Sequence, residues 1–323
     1  MRDHGGDPDR ARREYGEGDW LDLSTGINPR PYPIPAIPAR AFTDLPTGAD
    51  LEALIQAARQ AYATEAGIVP LGGAQAAIQI VPRLAEPGRA RVLAPTYNEH
   101  GAALAAQGWP VQEVRDPEAL AGADLAVLVN PNNPDGRRHD PDWLGGLAGR
   151  VGLLIVDESF ADAEPGLSLA PRLPRLENVV VLRSFGKFYG LAGLRLGFAL
   201  AAPGLSQRIA ALAGPWAVSG PAIHAGIAAL RDRDWRLRRA AGLAWDADRL
   251  DRAARLAGWR LVGGTELFRT YDSPDAHAAQ DRLARARIWT RIFPYSAHWI
   301  RLGLPGDETG WHRLERALTG QRD

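Results

Sequence analysis

Apolar residues first fall into a helical rhythm over 51–63, where Leu51, Leu54, Ile55 and Ala58 share one face. A second helical run covers 76–84, just after the pair Gly72-Gly73. From residue 91 onward short apolar runs alternate with helical stretches. Segments 91–94, 111–114, 125–129, 151–156, 179–182 and 197–201 read as strands, and 99–107, 141–147, 209–212 and 221–230 as helices. Several of these strands are apolar throughout, so both of their faces are buried. That predicts an α/β fold with a mostly parallel central sheet covered by helices. After a long Ala- and Arg-rich helix over 235–256 the pattern changes. Strands at 259–262, 267–271, 288–293 and 299–302, with helices at 275–286 and 308–318, predict a smaller α+β domain. The turn- and proline-rich start, 1–40, is expected to join that small domain. Residues 41–231 then form the large domain and 232–323 the small one.

Composition narrows the function classes. The 323 residues are 46% hydrophobic and carry zero formal net charge, enough for a substantial core and with no electrostatic pull toward nucleic acid or an anionic membrane. Cysteine is absent, which excludes disulfides, thiol catalysis and thiolate-bound zinc; no metal set is expected. No apolar run approaches the roughly 20 residues of a membrane span, and residues 1–20 lack the apolar core of a signal peptide. The expectation is a soluble cytoplasmic protein.

The candidate chemistry lies where strands end. Lys187 is the single lysine of the chain, against 37 arginines. An arginine stays protonated, whereas a lysine amine can lose its proton and act as a nucleophile. Taken alone, Lys187 could equally be a surface residue. It sits, however, in Ser184-Phe185-Gly186-Lys187, ahead of Arg195, and the strands before it end in Asn130-Pro131-Asn132-Asn133-Pro134 and in Asp157-Glu158. Ligands of open α/β sheets bind at such ends. Gly73 and Ala74 open a helix, whose free N–H groups suit a phosphate.

In order and in position, Asn133-Pro134, Asp157-Glu158, Ser184-x-x-Lys187 and Arg195-x-Gly197 resemble the fold-type I pyridoxal-phosphate enzymes of the aspartate aminotransferase superfamily. The resemblance implies that fold and cofactor. It implies that Lys187 holds pyridoxal phosphate covalently and then carries protons, and that Asp157 pairs with the pyridine nitrogen. Asn133 would donate to the 3′ oxygen of the ring, and Ser184, Arg195, Gly73 and Ala74 would bind the phosphate. His100 would stack on the ring, with Tyr97 as the alternative. Two positions depart from the family pattern: Phe160 stands where relatives carry a tyrosine donor, and Leu45 where many carry a tyrosine that reaches a neighbouring subunit.

Nearer the N-terminus, His4-Gly5-Gly6 and Leu21-Asp22-Leu23-Ser24-Thr25-Gly26-Ile27-Asn28-Pro29 resemble the threonine-phosphate decarboxylase family of cobalamin biosynthesis. This implies decarboxylation of a phosphorylated amino acid by a homodimer. Arg301 would bind the substrate carboxylate, Arg291 and His4 its phosphate, and Asn28 would line the pocket. The alternatives are a histidinol-phosphate-type aminotransferase and a non-catalytic partner of a corrinoid enzyme. The site residues alone do not separate decarboxylation from transamination, because both use Lys187 and Asp157.

Overall fold

The computed structural model describes residues 5–320, so His4 lies outside the described residues. In chain order the elements begin with helix α1 (Pro8–Tyr15), strand β1 (Leu21–Asp22), α2 (Arg40–Thr43), α3 (Gly48–Tyr62), β2 (Gly67–Leu71) and α4 (Ala74–Ile80). There follow β3 (Ala90–Leu93), α5 (Glu99–Ala106), β4 (Val111–Val114), β5 (Leu125–Val129), α6 (Pro141–Ala148), β6 (Leu153–Asp157), β7 (Val179–Ser184), α7 (Phe185–Phe188) and β8 (Gly197–Ala201). The rest is α8 (Pro203–Ala213), α9 (Gly220–Arg231), α10 (Arg233–Leu256), β9 (Arg260–Thr265), β10 (Phe268–Asp272), α11 (Ala276–Arg285), β11 (Ile288–Trp289), β12 (Arg291–Phe293), β13 (Ser296–Gly303) and α12 (Glu308–Thr319).

Contacts divide the chain into two units. One holds residues 32–133 and 137–238; the other holds 1–31, 134–136 and 239–323. The sequence placed the boundaries at 40/41 and 231/232. The aromatic packing of the larger unit accounts for the difference. Tyr32 donates its backbone N–H to the Tyr189 carbonyl at 2.9 Å and sets its ring edge-on to Trp235 at 5.1 Å. Trp235 stacks on Tyr189 at 5.8 Å, so both Tyr32 and the first turns of α10 count with the large unit. Residues 134–136 pack within the smaller unit, where Thr270 Oγ1 donates to the Pro134 carbonyl at 2.5 Å.

The large unit is built on a seven-stranded sheet in the order β2-β8-β7-β6-β5-β3-β4. Every neighbouring pair is parallel except those of β8, which runs antiparallel to both β2 and β7. Strands β5 and β6 are buried at every position, as apolar runs between two helix layers must be. Strand β2 went unread in the sequence because Pro70 interrupts it. It is an edge strand, where a residue without an N–H is tolerated. Helix α3 starts on a reciprocal cap between Thr47 and Asp50 and buries Leu54, Ala57 and Ala58.

In the smaller unit an antiparallel sheet runs β12-β13-β10-β9, and β1 pairs with β11 in parallel. The single strand expected over 288–293 is therefore two, β11 and β12, each with its own partner. Helix α1 also went unread, because only Ala11 is buried on it. Its start is nonetheless marked by the Asp7 cap and Pro8 in the first turn.

Candidate active site

Topology gathers the candidate residues of the large unit. Strands β3, β5, β6 and β7 are parallel, so their C-terminal ends share one edge of the sheet. Strand β8 is reversed, which puts its beginning at that edge, and β2, reversed again, ends there. In register, Gly197 is flanked by Leu71 on one side and Ser184 on the other. Six stretches far apart in the chain thus open on one edge: Gly73-Ala74, α5 with His100, Asn133, Asp157, Ser184 with Lys187, and Arg195.

At the β2–β8 end the backbone is drawn in tightly. A Cβ on Gly197 would lie 2.5 Å from the Ala74 nitrogen and 2.5 Å from the Gly73 carbonyl carbon, so only glycine lets the start of α4 settle there. Gly73 has φ +86°, and a Cβ on it would come within 2.8 Å of Arg195 Nη2. Arg195 itself adopts the left-handed conformation, with φ 56°, and Nη1 donates to the Ala192 carbonyl at 3.1 Å. The Arg195 guanidinium and the start of α4 therefore meet in a cradle that any side chain at Gly73 would fill, with Ser184 in register beside Gly197. Donors of this kind fit a phosphate group.

Asp157 ends β6 and is buried. Its Oδ2 lies 2.8 Å from His100 Nε2, while Oδ1 accepts from the Ser159 N–H at 2.9 Å and from the Ser159 hydroxyl at 2.5 Å. Burial alone pushes this carboxyl up. The bond and charge of His100 and the two Ser159 donors outweigh it and hold the carboxyl below its ordinary range. Ser159 was missed in the sequence; its signal is a hydroxyl two residues after a strand-end aspartate.

His100 offers its edge to Asp157 and is itself buried, at 3% exposure. Its neighbour in the turn, Tyr97, is half-buried and stands edge-on to the His100 ring at 6.1 Å. The Tyr97 hydroxyl donates to Gln75 Oε1 at 3.3 Å, and Gln75 Nε2 donates to Glu99 Oε2 at 3.1 Å, which ties the starts of α4 and α5 together. Asn133 is half-buried. The buried Asn132 beside it fixes the loop, donating to the Pro95 carbonyl at 2.9 Å and accepting from Thr96 Oγ1 at 2.7 Å.

Lys187 lies on α7 between Phe185 and Phe188, both buried. Phe185 stacks on Tyr189 at 4.2 Å, which fixes this short turn and leaves Lys187 half-buried. Its Nζ stands 5.7 Å from the centre of the Phe160 ring.

The remaining candidates belong to the smaller unit. Arg291 and Arg301 face each other across β12 and β13. Arg301 is buried, lies 5.1 Å from the Phe268 ring centre and donates through Nη2 to the Ser24 carbonyl at 2.6 Å. Burial, and then the charge of Arg291, push its pKa down to about 10. Ser24 belongs to the stretch that resembles the decarboxylase pattern. Asp22 Oδ1 accepts from both its N–H and its hydroxyl, at 2.8 and 2.6 Å. Asn28 is buried, and its Oδ1 accepts from the Arg30 N–H at 3.0 Å.

Comparison with known proteins identifies the family. The family model for aminotransferase class I and II matches residues 39–316. A threonine-phosphate decarboxylase of Pseudomonas aeruginosa is 44% identical over all of this chain and 99% of its own length. A second, from Sinorhizobium sp, is 44% identical over 98% of this chain and 97% of its own. Among solved structures, the histidinol-phosphate aminotransferase of Sinorhizobium meliloti in complex with pyridoxal-5′-phosphate superposes with TM-score 0.86 at 23% identity, covering 97% of this chain and 93% of that one. The L-threonine-O-3-phosphate decarboxylase of Porphyromonas gingivalis gives TM-score 0.74 at 20% identity over 92% and 98%. The chain belongs to the pyridoxal-phosphate-dependent class I and II aminotransferase family and, within it, groups with the threonine-phosphate decarboxylases.

Proposed function

We propose that this protein decarboxylates L-threonine O-3-phosphate to (R)-1-amino-2-propanol O-2-phosphate in cobalamin biosynthesis. The observation that carries the reading is full-length sequence similarity to two threonine-phosphate decarboxylases, against partial coverage in sequence for histidinol-phosphate aminotransferases. One of those matches 67% of this chain at 32% identity. The paired Arg291 and Arg301 support it, since two facing cations suit a substrate that carries both a phosphate and a carboxylate.

Pyridoxal phosphate, when bound, supplies an electron sink for charge developing at the substrate Cα. Asp157 keeps a proton on the pyridine nitrogen, with His100 and Ser159 fixing its carboxylate. Tyr97 takes the ring face in place of His100, whose edge is committed to Asp157. Asn133 donates to the 3′ oxygen, a contact Phe160 does not share because it has no hydroxyl. Arg195, Ser184 and the Gly73-Ala74 backbone bind the cofactor phosphate. Arg301 would grip the substrate carboxylate, while Arg291 and His4 would take the substrate phosphate and Asn28 would line the pocket. Cleavage of the Cα–carboxylate bond releases CO₂, and Lys187 Nζ delivers the proton that replaces it at Cα.

The test is to incubate the holoenzyme with L-threonine O-3-phosphate in D₂O. Equimolar CO₂ and aminopropanol phosphate, with one deuterium on the carbon that bore the carboxylate, is the expected result. Retained carboxylate with amino transfer to 2-oxoglutarate would instead mark an aminotransferase.

We further propose a cytoplasmic homodimer. Phe42 and Leu45, exposed at 67% and 64%, and Trp216, exposed at 55%, are large apolar residues of the large unit that a second copy would cover. Sedimentation equilibrium should give twice the chain mass; a monomer at micromolar concentration would contradict this.

A further inference from the structure

We infer that Arg183, Glu158 and Asp162 are positioning residues that set the spacing of the two strand ends carrying Asp157 and Ser184. The inference rests on the reading that those ends hold pyridoxal phosphate. Glu158 directly follows Asp157, and Arg183 directly precedes Ser184. Along a strand, adjacent side chains point to opposite faces, so these neighbours point away from Asp157 and Ser184. Arg183 Nη1 donates to Glu158 Oε2 at 2.8 Å, and Nη2 donates to Asp162 Oδ1 at 2.7 Å. All three side chains are buried, at 3%, 0% and 6% exposure. Glu158 is also held by the Ser168 hydroxyl at 2.6 Å and by the Leu169 N–H at 2.6 Å. The Arg183 guanidinium lies 4.4 Å from the Tyr62 ring centre, which closes the far side with α3.

Burial is the largest single influence on the Arg183 guanidinium and pushes its pKa down. Asp162, Glu158 and Tyr62 outweigh it and keep the group charged. As a source of stability the cluster is a poor choice, because apolar residues of similar volume usually do as well. What a planar guanidinium forked between two carboxylates does supply is a fixed geometry. Here the fork joins β7 to the end of β6 and to the turn after it, one residue away from Asp157 and from Ser184. The backbone transmits the constraint, for the Glu158 N–H donates to the Leu182 carbonyl at 2.9 Å and Ser184 is in register with Gly197. A constellation that must be held within about 0.5 Å needs such support.

The experiment titrates the full-length apoprotein with pyridoxal phosphate and follows its absorbance band, for wild type and for Arg183→Met, Arg183→Lys and Glu158→Gln. Loss of the fork should weaken cofactor affinity at least about tenfold in Arg183→Met and move the bound band. Arg183→Lys, which keeps the charge but not the fork, should fall between Arg183→Met and wild type. A folded Arg183→Met with a lower melting temperature but wild-type affinity and spectrum would make the cluster merely structural and overturn the inference. Should Arg183→Met not fold, the near-isosteric Glu158→Gln decides in the same way. Failure of the wild type itself to bind would instead defeat the reading of the site, and so is told apart from failure of the inference.

Discussion

Arg301 carries a charge that its surroundings oppose, since it is buried and faces a second arginine. An anion arriving there relieves both penalties at once, so the site favours a carboxylate before any shape fit is counted. Arg301→Gln should therefore raise KM for threonine phosphate far more than it lowers kcat, with a loss of roughly 2–4 kcal/mol in substrate binding. Steady-state kinetics of the variant check this, and an unchanged KM would remove Arg301 from the substrate site. The residues whose type is forced by chemistry stand out in the sequence: one amine, one strand-end carboxylate, an arginine two residues before Gly197. Ser159, Gln75 and Arg183 do not, because serine, glutamine and arginine are common and each role depends on what lies across a sheet or a turn. His100 was only half legible. Its place next to the site could be read, but which edge it turns to Asp157 depends on how α5 packs.

At the level of elements, convergence follows from the direction of the strands. Asn133, Asp157 and Ser184 follow parallel strands and would meet in any such sheet. Gly73 and Arg195 join them only because β8 is reversed and β2 is reversed again, an arrangement that the hydrophobic pattern does not encode. The apolar runs predicted β5 to β8 well, since burial on both faces leaves little ambiguity. Pattern failed at two elements, for different reasons. Pro70 disguised an edge strand, and α1, mostly charged, hid behind a single buried alanine. In both cases the local signal, an edge-compatible proline or an Asp-Pro start, was present but short.

Across the whole molecule, six separated stretches of the large unit are brought to one sheet edge, that of the single lysine, while the arginine pair lies within the other unit. The division of the chain at 31/32 and 238/239 was the least legible feature, because it depends on where Tyr32 and Trp235 find aromatic partners. This edge is proposed to hold pyridoxal phosphate on Lys187. Borohydride reduction of the holoenzyme followed by peptide mapping tests that placement. One pyridoxyl group per chain is expected, on the peptide that contains Lys187. Label on any other residue, or no label on a protein that releases CO₂ from threonine phosphate, would contradict it.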